Sequence, residues 1–327
     1  MAQDLHVAFY GFMVKRKIFN LNLFIFALVC GLFTIAVKAQ DESSFTNAPN
    51  EERRNLSVPS KNPNTPTVSG FDNFYSVLEQ TLVKRGKKRE DICDEKDMVA
   101  SRILREYGSV FLVIDTALPP PVCVFSSSED VENFQKQLGI ATQIIEGTTI
   151  ELQPVAMEAL IKARSEALFK GLDITPRDGS IAGRRGFSET ARLWNSRFEP
   201  ACAYWLKKGR LTQEQVDKLK ALPMKEQVKE VLQLEKMGIY FNSAFNNSIL
   251  YSVAAPGTSQ HLALLAFDVV EFENEQVREI LAKYGWYRTV QNDRPHFTFL
   301  GHKEEDLPKF GLKKVVNFNG KFWIPNT

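Results

Sequence analysis

Apolar positions along this chain change their spacing several times, and each change marks an element. A helical period predicts helices over 74–83, 96–107 and 129–138, the last with Ser127 or Ser128 as its cap. Pro154 opens a further helix that reaches Lys170 and stops at Gly171. Another covers 188–208, where Leu193, Trp194, Phe198, Tyr204 and Trp205 form an aromatic stripe that reads as core packing. Thr212 and Gln215 make a capping box for the next helix, and 223–237, ended by Gly238, makes one more. A last helix over 275–284 has Asn274 before it as a cap. Shorter apolar runs predict strands over 110–114 and 122–125, split by Pro119-Pro120-Pro121, and over 172–177, 239–245, 249–253, 262–268 and 296–300. Helices and short strands are mixed along the chain.

The stretch from His261 to His296 carries the chemistry. Two of the chain's 4 histidines stand there with the carboxylates Asp268 and Asp293. Asp268 closes the run Leu262-Ala263-Leu264-Leu265-Ala266-Phe267 and precedes Val269-Val270, the pattern of a buried strand. A carboxylate there is costly unless it is paired or bound to a metal. Alternation puts Leu264, Ala266 and Asp268 on one face, with Leu265 and Phe267 on the other. In the same way His296, Thr298 and Leu300 share a face, and Phe297 and Phe299 point away. Singly, each polar residue has an ordinary reading: a hydrogen-bonded strand histidine, or an aspartate paired with an arginine or a turn amide. As a set, two imidazoles and a carboxylate match a catalytic zinc site with its fourth position open, though another borderline divalent ion suits the same donors. Asp293, three residues before His296, is placed to take a proton from a water at that fourth position.

The pattern Ser259-x-His261-x6-Asp268, followed after a helix and a Tyr284-Gly285-Trp286 turn by Asp293-x-x-His296-Phe297, resembles the VanY-type D-alanyl-D-alanine carboxypeptidases and related phage endolysin peptidases. Upstream, Arg185-Gly186-Phe187-Ser188-Glu189-Thr190 is similar to that family's Arg-Ser-Tyr-x-x-Gln segment. The resemblance covers roughly the second half of the chain. It implies an α+β fold, a Hedgehog/DD-peptidase-like zinc domain with helices packed on a small antiparallel sheet. It also implies zinc on His261, Asp268 and His296, Asp293 as the base, and Arg185 as a substrate-orienting or oxyanion-stabilising arginine. A bidentate guanidinium suits a site that cleaves beside a free carboxylate. Ser259 is a candidate hydrogen-bond partner of substrate or ligand, or simply a loop hydroxyl. This chain departs from the family in having Leu264 where glycine is usual, Asp293 for glutamate and Pro295 for tryptophan. Gly186 and Thr190 stand for its serine and glutamine.

The remaining sequence adds context. With 41 Lys and Arg against 39 Asp and Glu, bulk charge gives no argument for nucleic acid. Lys15-Arg16-Lys17 precede an apolar run over 18–37, and Val37-Lys38-Ala39 before Gln40 fits a signal-peptidase site, with Met13 as the expected start. The competing reading is an uncleaved membrane anchor. Cys30 lacks the preceding small residue of a lipoprotein signal. The expected organisation is therefore a signal peptide or anchor over 1–39 and a disordered linker over 40–70. A smaller α/β region over 71–140, a zinc peptidase domain over 141–315 and a tail over 316–327 follow. Cys93 and Cys123 are expected to pair after export, leaving Cys202 over. His302 reads as surface.

The sequence thus points to an exported, extracytoplasmic zinc metallopeptidase that removes D-alanine from peptidoglycan stem peptides. Membrane contact is expected only through the N-terminal segment, if that segment is uncleaved. Two alternatives stay open: an endopeptidase of the same fold, and a zinc-bound but inactive domain that binds wall peptide or a partner.

Overall fold

Asp97 and Asn274 show how the helices begin. Each lies in extended backbone and accepts hydrogen bonds from two amides of the following turn, so donors that the helix cannot satisfy are met by a side chain. The computed structural model describes residues 73–327, Glu95 excepted. The leader with its apolar run, Met13, Cys30, the cleavage site after Ala39 and the 40–70 linker lie outside the described residues. Among the described residues no helix is long and apolar enough to cross a membrane.

Helices α1 (Phe74–Lys84), α2 (Arg89–Ile92), α3 (Met98–Tyr107) and α4 (Ser128–Gln135) come first. Hairpin strands β1 (Ala141–Ile145) and β2 (Thr148–Leu152) follow, then α5 (Pro154–Phe169), α6 (Phe187–Lys207), α7 (Gln213–Ala221) and α8 (Met224–Lys236). The site elements are β3 (Ala266–Asp268), α9 (Glu275–Lys283), β4 (Trp286–Tyr287) and β5 (His296–Phe299). Strands β6 (Leu312–Asn317) and β7 (Gly320–Pro325) close the chain as a second hairpin. The architecture is α+β, with antiparallel sheets β1-β2, β3-β5-β4 and β6-β7.

One apolar core runs through all of this, from Phe74 in α1 to Trp323 in β7. The α6 stripe is core packing, as its sequence implies: Trp194, Phe198, Cys202 and Trp205 are buried, and Phe198 stacks on Phe241 at 5.9 Å. The expected capping box at Thr212 and Gln215 is formed, as is the Ser127 cap of α4.

Several expected strands are not strands. Residues 108–112 continue α3 as a tighter 3-10 helix, and 122–125 are held singly, with Cys123 N–H donating to Ile92 O and Phe125 N–H to Gly257 O. Residues 239–253 form turns because side chains take the backbone bonds that a ladder would use. Asn242 Oδ1 accepts from the amides of Asn246 and Asn247, and the buried Glu235 carboxylate accepts from Ser248 Oγ and the Ile249 amide. The expected strand over 172–177 reduces to a bridge between Pro176 and Val269. The expected tail over 316–327 contains β7, paired along its length with β6. His302 is half-buried, stacked on Phe310 at 3.7 Å and bonded through Nε2 to Leu112 O.

Cys93 and Cys123 form a disulfide across a separation of 30 residues, tying the end of α2 to the segment before α4. Cys202 is free and buried, and burial pushes its thiol up to about 11. Closing the loop between Cys93 and Cys123 removes unfolded-state entropy corresponding to about 3.7 kcal/mol. A Cys93→Ser/Cys123→Ser chain is expected to lose stability of that order, read as a lower urea midpoint with an unchanged far-UV spectrum.

Candidate metal centre

The β3–β5 register places Asp268 directly opposite His296. Facing residues of an antiparallel pair carry their Cβ atoms about 5 Å apart on one face, so these two side chains meet without any loop having to position them. His261 arrives differently. The fully apolar run over 262–267 has no period of its own, and it starts as a 3-10 turn, Gln260–Ala263, followed by Leu264 at φ 55. Only then does β3 begin. The left-handed residue reverses the turn and brings the His261 ring edge-on to His296, with centroids 4.9 Å apart. Ser259 caps the turn by accepting from the His261 amide.

Each imidazole is oriented by the nitrogen that points away from the cluster. His261 Nδ1 lies 2.7 Å from Gly183 O, an acceptor only, so this nitrogen carries the proton. His296 Nε2 lies 2.8 Å from Gln260 Oε1. The Gln260 amide is fixed in that sense because its Nε2 donates to Tyr107 O at 3.0 Å and to Ser109 Oγ at 3.3 Å. Thr298 Oγ1 also donates to Gln260 Oε1, so the inward face of β5 is bonded along its length.

The remaining nitrogens, His261 Nε2 and His296 Nδ1, are therefore lone-pair acceptors when the rings are neutral, and they sit 3.1 Å apart. Asp268 Oδ1 is 3.3 Å from the first and 3.2 Å from the second. Three acceptors converge with no proton of their own between them. This buried group can hold a metal ion. Burial pushes the His261 pKa down to about 4, helped by the nearby Arg185 charge, which keeps the ring in the neutral form that a metal needs. Burial alone would raise the Asp268 carboxyl, but His261, His296 and Arg185 together hold it well below the usual carboxylate range.

Arg185 is committed to this cluster. Its Nη2 donates to Asp268 Oδ2, its Nε to Ile181 O at 2.9 Å, and its backbone amide to His261 O at 3.5 Å. Gln135 Nε2 bridges Arg185 O and Leu262 O at 2.9 and 3.0 Å, joining the arginine loop to the ligand turn. A cavity of about 180 Å³ opens over the cluster, and Arg185, Ser259 and Asp293 line it with the three candidate ligands. All six site residues read from the sequence thus meet in one place. Asp293 is half-buried in the turn before β5. Its carboxyl is pushed up to about 6, first by burial and further by Asp268, against the opposing pull of His296 and Arg185.

Sequence reasoning missed Gln260, Gln135 and Gly183. Gln260 carries a signal in retrospect: it adjoins a candidate ligand, and Thr298 shares the His296 face. Gln135 and Gly183 lie on distant segments and carry none. No family model and no curated protein matches the chain.

Gly183 yields a direct test. A Cβ there would come within 2.9 Å of Glu151 O and 3.1 Å of Ile150 Cγ2, so the loop would have to leave β2 and take its carbonyl from His261 Nδ1. Losing such an orienting partner typically weakens metal binding about 10–100-fold. Gly183→Ala is expected to fall in that range in a competitive metal titration while keeping its thermal transition. Unchanged affinity would show that the carbonyl does not orient the ring.

Proposed function

We propose that this chain is an exported, zinc-dependent D-alanyl-D-alanine carboxypeptidase with the Hedgehog/DD-peptidase fold of the VanY-type family, acting on peptidoglycan stem peptides. The observation that carries the reading is the triangle of lone-pair atoms. Bonds of about 2.0–2.1 Å set the ligand atoms of a tetrahedral zinc site about 3.3 Å apart. The three separations here are 3.1, 3.2 and 3.3 Å. Two imidazole nitrogens and one carboxylate oxygen favour zinc over magnesium or calcium, which take oxygen ligands.

His261, Asp268 and His296 would hold the ion, and zinc, when bound, supplies a Lewis acid that brings the pKa of a water towards about 7. Asp293 lines the same cavity, and its raised pKa suits a group that accepts a proton from the attacking water and returns it to the leaving amine. Arg185 keeps Asp268 ionised and aligned, so its first task is to position a ligand. Ser259 stands at the cavity wall as a hydrogen-bonding group for substrate.

Leu264 gives independent support. The family usually has glycine at this place, and the backbone here is left-handed at φ 55, a conformation glycine adopts without cost. The sequence departs from the family at this position while the backbone keeps the conformation that glycine serves.

The test is turnover of a stem pentapeptide by the purified, zinc-loaded chain, with products weighed. Release of terminal D-alanine supports the carboxypeptidase, and internal cleavage would reassign the bond to an endopeptidase. The rate is expected to rise with pH along a limb at or below about pH 6, because Asp293 must be ionised and a bound cation would draw its pKa down further. Asp293→Asn should abolish that limb and lower kcat about 10²–10⁴-fold with zinc content unchanged. Equal turnover in that variant would remove Asp293 from the mechanism, and none in the parent chain would leave a zinc-bound binding domain.

A further inference from the structure

The cavity over the metal cluster holds more positive charge than the cluster uses. Three arginines line it: Arg177, Arg185 and Arg197. Arg185 is paired with Asp268, and Arg177 faces Asp178 at 3.6 Å while lying over the Phe272 ring at 5.4 Å. Arg197 differs. Among the described residues it has no ion pair. Its Nη1 donates to Ser196 Oγ at 3.0 Å, and its Nε is shielded from solvent without a hydrogen-bond partner. Its charge is thus offset by no carboxylate of the described residues, and the side chain forms part of the cavity wall, where an anion would meet it.

Its place in the fold says what sort of anion. Arg197 belongs to the face of α6 that also brings Leu193 and Ser196 to the cavity, Leu193 one turn before it. Arg185 precedes α6, whereas Arg197 lies well inside it, about 15 Å of helix rise beyond Phe187. Arg185 is already engaged by Asp268, so a carboxylate that enters the cavity finds its unpaired partner in Arg197, whose planar fork matches that group.

We propose that Arg197 forms a carboxylate subsite of this cavity, selecting peptides that carry an acidic residue. The identity of the peptide rests on the peptidase reading above; the subsite itself rests on the arginine. Calorimetry on the zinc-loaded full chain tests it with two synthetic stem tetrapeptides, L-Ala-γ-D-Glu-L-Lys-D-Ala with the glutamyl α-carboxylate free, and the same peptide with that group as the amide. The acid form is expected to bind at least about tenfold tighter, as a charge-assisted pair implies. Arg197→Gln should erase the preference, and Arg197→Lys should keep part of it, with zinc content unchanged in both. A preference that persists in Arg197→Gln overturns the proposal, as does a parent chain that binds both peptides equally or neither. Preference without turnover of the pentapeptide would retain the subsite and sink the peptidase reading. Turnover without preference would do the reverse.

Discussion

Burying the Asp268 carboxylate is the constraint on which the rest of the site depends. It is 8 % exposed, in the strand of the site sheet that follows an entirely apolar run. A charge in that position stands only if both oxygens are engaged, and the fold divides them. Oδ2 takes the Arg185 guanidinium, and Oδ1 faces both imidazoles. Removing one partner of a buried pair commonly costs about 3–5 kcal/mol, which is of the order of a domain's whole stability. The arginine loop, the ligand turn and β5 must therefore arrive together.

That requirement explains why segments far apart in sequence close around the cluster. Gly183 lies against β2 with no room for a side chain, which fixes the loop that carries both the carbonyl for His261 and the guanidinium for Asp268. Gln260 turns the His296 ring, and Gln260 is itself held by Tyr107 O and Ser109 at the end of α3. Gln135 of α4 joins the two halves of the site. The N-terminal helices thus take part in orienting the ligands, and the apolar core they share with the later elements is the physical reason they can.

Legibility in the sequence followed the locality of the physics. Helices whose ends are set by a cap within the same turn, such as α4, α7 and α9, are readable, because donor and acceptor lie a few residues apart. The cluster of Asp268 and His296 is legible because Asp268 breaks an apolar run and His296 heads an alternating one. The β1–β2 hairpin was overlooked although Glu146 and Gly147, both at positive φ, form a two-residue turn of the type that joins such strands. Residues 239–253 look like strands in composition, and the bonds that fold them otherwise come from Glu235 and Asn242. Leu264 is the clearest limit. Nothing in a leucine announces left-handed backbone, which for a non-glycine residue costs about 1–2 kcal/mol. Its complete burial in the core offsets that cost.

The cluster also has an electrostatic asymmetry that links it to folding. His261 Nε2, His296 Nδ1 and Asp268 Oδ1 all present lone pairs to one another, since the outer nitrogen of each ring is committed as a donor elsewhere. Such an arrangement needs a cation at its centre. A proton can serve, but burial opposes placing it on His261, whose pKa is pushed down to about 4. A divalent metal meets the same need without opposing burial, and it binds the folded chain far better than an unfolded one with its ligands dispersed. Binding energy at this site is then also folding energy. The buried carboxylate that would be a liability in an ordinary strand would then be the means by which a bound metal stabilises the sheet, the arginine loop and the 260–263 turn as one unit.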